Sequence, residues 1–190
     1  MGVFRNSVRW TAAAAACLSL PACLISETPL LDAKTGKATP FAAGDYVACQ
    51  VEADEPEPDC KETAITRDDT GQYRFSVEGE DEPTFLRFRK VGQAGWLAQL
   101  GGGEDDDAFF YFVARSTTDG FTLAMIVCED IPKSIRKKYM ARGEMEVDDS
   151  ASVCTASSLG AVTASAKAAL AVGAPAPKAQ IIYTRAAIGE

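Results

Sequence analysis

The sequence predicts a mainly β protein: an antiparallel meander of about seven strands, forming an open or closed small barrel, with two packing α-helices. Three features carry this expectation. From Tyr46 onward, apolar and polar residues alternate with the period of two that a strand with one wet face requires. Runs rich in aromatic and β-branched residues succeed one another at hairpin spacing, separated by glycine and aspartate turn signals. Helical spacing is confined to two segments in the carboxyl-terminal part.

Taken in order, Tyr46 to Val51 is the first run, and the connection Glu52 to Asp59 carries five carboxylates and two prolines. Lys61 to Thr66 is a short second strand, and Asp69-Thr70-Gly71 is a tight turn. Tyr73, Phe75 and Val77 then alternate with Arg74, Ser76 and Glu78. Thr84 to Val91, Trp96 to Leu100, Phe109 to Arg115 and Phe121 to Val127 complete the meander. Phe109 to Val113 is apolar on both faces, as in a strand covered on both sides by core. Asp130 is placed to cap a helix with Pro132 in its first turn, and Ile131, Ile135 and Tyr139 recur every four residues before Gly143. A second helix is expected from Thr155 to Val172, with Leu159, Val162, Ala166 and Leu170 on one face. Gln180 to Thr184 reads as a last strand.

The amino terminus carries a different signal. Arg5 and Arg9 precede an uncharged stretch, Trp10 to Leu20, dominated by alanine and leucine. This is the pattern of a secretory signal peptide. A membrane-spanning helix needs about 20 apolar residues, and this run ends early at Pro21. Leu20-Pro21-Ala22-Cys23 follows, and it resembles the lipobox of bacterial lipoprotein precursors, with Pro21 departing from the small or hydroxyl residue commoner at that place. The resemblance covers only these first 23 residues and implies cleavage before Cys23, with diacylglycerol on its thiol. It further implies a protein of the bacterial cell envelope on the periplasmic side. Leu24 rather than Asp after the anchor favours the outer over the inner membrane. Cys17, behind Ala14 to Ala16, is the poorer alternative, because its apolar stretch is shorter.

The expected organisation is therefore a signal peptide over residues 1–22, a lipid-anchored tether over 23–43 and one disulfide-bonded β-rich domain over 44–190. The tether rests on Pro29, Pro40, Gly36 and several threonines without a clear period. Cysteine usage supports export independently. Setting aside Cys17 and Cys23 leaves Cys49, Cys60, Cys128 and Cys154, an even number without a Cys-x-x-Cys doublet. Pairing nearest in sequence gives Cys49–Cys60 and Cys128–Cys154, each bracketing a polar excursion.

Composition narrows the function classes. The net charge is −8, and loss of Arg5 and Arg9 takes it to −10, so the chain offers no overall basic surface for nucleic acid. Histidine is absent, which removes Ser-His-Asp and Cys-His catalysis and the commonest zinc ligand. No catalytic, cofactor-binding or metal residue is assigned, and no cofactor is expected. Glu104, Asp105, Asp106 and Asp107 invite a calcium reading, but their spacing lacks the alternating ligands of an EF-hand and suits a solvated hairpin tip. Glu52, Asp54, Glu55, Glu57 and Asp59 read as an exposed bend. Lys133, Arg136, Lys137, Lys138 and Arg142 form a basic patch that suits a solvated helix face or contact with an anionic lipid or polymer.

Three functions stay in view. The first is a lipid-anchored, non-enzymatic interaction or accessory module, with the membrane as one partner through Cys23 and an envelope protein as another. The second is a small barrel holding an apolar ligand, with Tyr73, Phe75, Trp96, Phe109, Tyr111 and Phe121 as lining residues. The third is an enzyme using a pair of carboxylates. A cavity open at one end would favour the second over the first.

Overall fold

A computed structural model describes residues 23–52, 57–93, 95–101, 107–148, 150, 152–171 and 179–186. The expected signal peptide, residues 1–22, lies outside them. In chain order the described elements are β1 (Leu24–Ser26), β2 (Gly44–Glu52), β3 (Asp59–Arg67), β4 (Tyr73–Val77), β5 (Thr84–Val91), β6 (Gly95–Leu100), β7 (Phe109–Ser116) and β8 (Gly120–Met125). They continue with α1 (Lys133–Met140), β9 (Met145–Asp148), β10 (Val153–Ala156), α2 (Leu159–Leu170) and β11 (Ala179–Arg185).

Strands β2 to β8 form the expected antiparallel meander, and β11 enters between β8 and β2. Because β6 also pairs with β7, the sheet returns on itself as a closed barrel of eight antiparallel strands, β2 to β8 and β11. A barrel of that size is just wide enough to be filled by side chains or to hold one small ligand. Closure between β8 and β11 depends on Gly120. A Cβ there would drive into the Tyr183 carbonyl, so only glycine lets the two backbones approach at this corner.

Period-two alternation sorts the barrel residues into two cores. Inward rows such as Tyr73–Phe75, Leu86–Phe88 and Phe121–Leu123 build the interior. The outer face of β6, β7 and β8 supplies Leu97, Tyr111, Val113 and Ala124 to a second core shared with α1, α2 and the β9–β10 hairpin. Strand β7 lies between the two, which accounts for its apolar character on both faces. Helix α2 presents Ala161, Val162, Ala166 and Leu170 to this outer core, its small residues allowing close approach to the sheet.

Residues 23–43, expected as a tether, instead belong to the fold. Strand β1 lies between β7 and β10, antiparallel to the first and parallel to the second. Leu24 and Leu31 are buried in the outer core, and Phe41 is buried in the barrel. A buried polar knot fixes this segment. The Gln99 Oε1 accepts from the Leu30 and Leu31 N–H groups at 2.8 and 2.7 Å, while its Nε2 donates to the Leu31 carbonyl at 3.2 Å. Tyr111 joins it, donating to Gln99 at 3.3 Å and lying 2.7 Å from the Ser26 hydroxyl. Burial pushes the Tyr111 hydroxyl up to about 12, so it remains a neutral donor in any physiological medium. No periodic pattern announces such a segment, because it is held by side-chain bonds to its backbone and not by a repeating apolar face.

Two further details differ from expectation. Pro132, not Asp130, occupies the N-cap position of α1, and no side chain caps that helix. Residues 155 and 156, expected as the start of the second helix, finish the β9–β10 hairpin; α2 begins at Leu159, where the Ser158 hydroxyl accepts from the Ala161 N–H at 3.1 Å. Both cysteine pairs are joined as expected, Cys49 to Cys60 and Cys128 to Cys154, with Cα atoms 4.0 and 5.3 Å apart.

Candidate functional site

The barrel interior is graded from one end to the other. On most strands the inward residue is aromatic near the end formed by Arg67, Gly120 and Arg185, and becomes smaller toward the opposite end: Tyr46 to Ala48 on β2, Phe88 to Leu86 on β5, Phe121 to Leu123 on β8, Tyr183 to Ile181 on β11. The aromatic end is sealed. Phe41 enters from the segment before β2 and stacks on Phe121 with ring centroids 3.7 Å apart, and Phe121 stacks in turn on Tyr183 at 4.4 Å. Phe88 and Trp96 meet the Phe41 ring edge-on. The Tyr73 hydroxyl donates to the Phe41 carbonyl at 2.7 Å and so holds the plug by its backbone.

At the other end the smaller side chains leave a cavity of about 80 Å³. Its walls are aliphatic, with Ala48, Val77, Leu86, Leu123 and Ile181, and Phe75, Phe112 and Tyr183 lie deeper. Gln50, Asp59, Lys61, Glu80 and Glu82 bring polar groups to the same opening. A single water needs roughly 10–15 Å³, and pockets for drug-sized ligands run to about 300–1,000 Å³. The space therefore suits a short apolar group, with the rest of any ligand at the mouth. Burial keeps the Tyr183 hydroxyl above the ordinary tyrosine range, so the deep wall carries no charge from that residue near neutrality.

Local structure holds the mouth open. Cys49 and Cys60 face each other across β2 and β3, between the pairs Ala48–Lys61 and Gln50–Asp59, all four of which line the cavity. The disulfide thus pins one wall on its outer side. Lys61 Nζ bonds Glu80 Oε1 at 3.0 Å, tying β3 to the connection between β4 and β5. With the lysine side chain 38% exposed, that pair contributes at most about 1 kcal/mol to stability, so its effect is on position and charge.

Of the six aromatic residues expected to line a ligand space, only Phe75 does. Tyr73, Trp96 and Phe121 fill the closed end of the barrel, and Phe109 and Tyr111 face the outer core. The lining missed by sequence reasoning includes Ala48, Lys61, Val77, Leu123 and Ile181. Their signal is the loss of bulk along each inward row, which becomes visible once the direction of each strand is known.

The remaining candidates disperse. Glu57 and Asp107 are exposed, while Asp54, Glu55, Glu104, Asp105 and Asp106 lie outside the described residues. Among the described residues no group of three or more acidic or cysteine side chains is arranged to hold a metal ion. Lys133, Lys137, Lys138 and Arg142 are exposed on and after α1, beside Met140 at 47% exposure, whereas Arg136 is half-buried. Cys23 is buried, with its Sγ 3.0 Å from the Met125 sulfur. No described helix is long and apolar enough to cross a membrane. No protein-family model, curated protein or solved structure matches the chain.

Proposed function

We propose that this protein is a lipid-anchored barrel of the bacterial envelope whose open end receives the apolar part of a small amphiphile. The observation that carries the reading is the cavity itself, aliphatic in its walls, polar at its mouth and closed at the far end by the Phe41 stack. A barrel evolved only for contact through its surface gains nothing from leaving its interior unfilled, since a void forfeits packing contacts. Octanol should therefore raise the melting temperature saturably, by the equivalent of about 2.7 kcal/mol at a hundredfold excess over its dissociation constant. Ala48→Phe, which fills the space from β2, should abolish that response while leaving the circular dichroism spectrum of the barrel intact. An unresponsive parent protein, or a filled variant that still responds, would remove the reading.

The anchor rests on the lipobox alone. Strand β1 begins at Leu24, so a lipid on Cys23 would set the barrel directly against the membrane without a spacer. The thioether would also require the Cys23 sulfur to turn away from Met125. Metabolic labelling with a palmitate analogue should mark the protein, and Cys23→Ser should abolish the label and release the chain from membranes. A mature protein that begins elsewhere and carries no label would sink the anchor and leave the cup untouched.

A further inference from the structure

We infer that the cup selects amphiphiles with a cationic head, an ammonium group seated at the mouth above the apolar chain; the inference rests on the cup being a binding site. Three connections, β2 to β3, β4 to β5 and β6 to β7, join strand ends that lie at the open end. Their described residues include Glu57, Glu78, Asp81 and Asp107, in addition to Asp59, Glu80 and Glu82 on the cavity itself. Against these stands Lys61, the one cation among the described residues that line the cavity, and its ammonium is already bonded to Glu80. The closed end is mixed in charge, with Arg67, Lys90, Arg115 and Arg185 at or near the ends of β3, β5, β7 and β11 beside Asp45, Asp68, Asp69 and Asp119. A low-dielectric cup rimmed by one sign of charge concentrates ligands of the other sign and repels a carboxylate head.

An independent observation comes from inside the barrel. Thr63 lies on the inward row of β3, between Lys61 on the cavity wall and Ile65 in the core, and is paired with Val77, another wall residue. It is 2% exposed, yet its hydroxyl has no hydrogen-bond partner among the described residues. Buried hydroxyls are nearly always bonded, and this orphan, on the inward row one step from Lys61 and paired with the wall residue Val77, is open to a polar group that enters the cup, an alcohol as readily as an ammonium.

Calorimetric titration of the purified, detergent-free protein with octylammonium, octanol and octanoate tests this. Octylammonium should bind about tenfold more tightly than octanol, and octanoate more weakly than either, with the spread shrinking in high salt as the field of the mouth is screened. Asp59→Asn combined with Glu82→Gln should bring octylammonium and octanol to within about threefold of each other, and Thr63→Val should weaken both without changing their order. Asp119→Asn, at the closed end, should leave the order unchanged. Glu80→Gln releases Lys61 and should improve octanoate binding several-fold. Octanoate binding as tightly as octylammonium, or a preference that survives the mouth variants, overturns the inference and leaves the cup standing. Failure of all three probes to bind removes the cup and the inference together.

Discussion

Replacing Phe121 by alanine should cost the fold about 3–5 kcal/mol, the range for deleting a fully buried aromatic side chain, and should be the most damaging single truncation in the barrel. Its ring is fully buried and is sandwiched between Phe41 and Tyr183, with Tyr46 and Phe75 meeting it edge-on. The neighbours cannot close the gap. Tyr183 is fixed by β11 pairing with both β8 and β2, and Phe41 is held through its backbone by Tyr73. Urea denaturation should show the loss as a lower midpoint at an unchanged slope. Phe121→Leu, which keeps most of the volume, should recover more than half of it. A loss under about 1 kcal/mol for the alanine variant would show that the stack is not formed in solution. The same truncation should weaken octanol binding, because the hole would connect the plug to the cup floor and let water in from the sealed end.

That stack also shows where sequence reading succeeded and where it stopped. Every barrel strand from β2 to β8, and β11 as well, was legible, because each either alternates between an inward and an outward face or, like β7, is a run of aromatic and branched residues set off by turn signals. Closure was not. It depends on β6 meeting β7 and on β11 entering between β8 and β2, and period-two patterning specifies a face without specifying a neighbour. Short elements escaped for a related reason. Strand β1 has only three residues, and β10 ends two residues before the Ser158 cap, so neither is long enough to display a period.

The site was misread through bulk. Aromatic residues suggested a lining, yet in a barrel of eight strands a ring at each inward position fills the lumen, and a space survives where the inward residue shrinks to Ala48, Val77 or Leu123. Lys61 and Thr63 illustrate the point. On an isolated strand they read as polar interruptions facing solvent, but the register with Ala48, Tyr46 and Val77 turns them into the barrel. Of the acidic connections, the described residues Glu57, Asp59 and Asp107 are exposed, and only the topology brings them to one end of the barrel.

Removing the Cys128–Cys154 disulfide should be the second large loss, about 3–4 kcal/mol from released loop entropy for a separation of 26 residues. The bond joins the turn after β8 to β10 and closes the loop that carries α1 and β9, adding a covalent tie to the pairing of β10 with β1 and to packing in the outer core. Both cysteines are buried in the outer core, so serine replacements would add the cost of two buried hydroxyls; the alanine pair Cys128→Ala with Cys154→Ala isolates the crosslink. Expected is a destabilised but folded barrel in which α1 and the β9–β10 hairpin exchange amide protons first, since they lose their crosslink at the edge of the sheet while β2 to β8 are paired around the closed barrel. The Cys49–Cys60 bond behaves differently. Cys60 is exposed, so mild reductant should open that bond first, loosening the mouth and lowering octanol affinity before the melting temperature falls by its full extent. Only unfolding conditions should release the second bond. Non-reducing peptide mapping after graded reduction reads both steps, and a crossed pair such as Cys49 with Cys128, or simultaneous loss of the two bonds under native conditions, would contradict this order and the topology on which it stands.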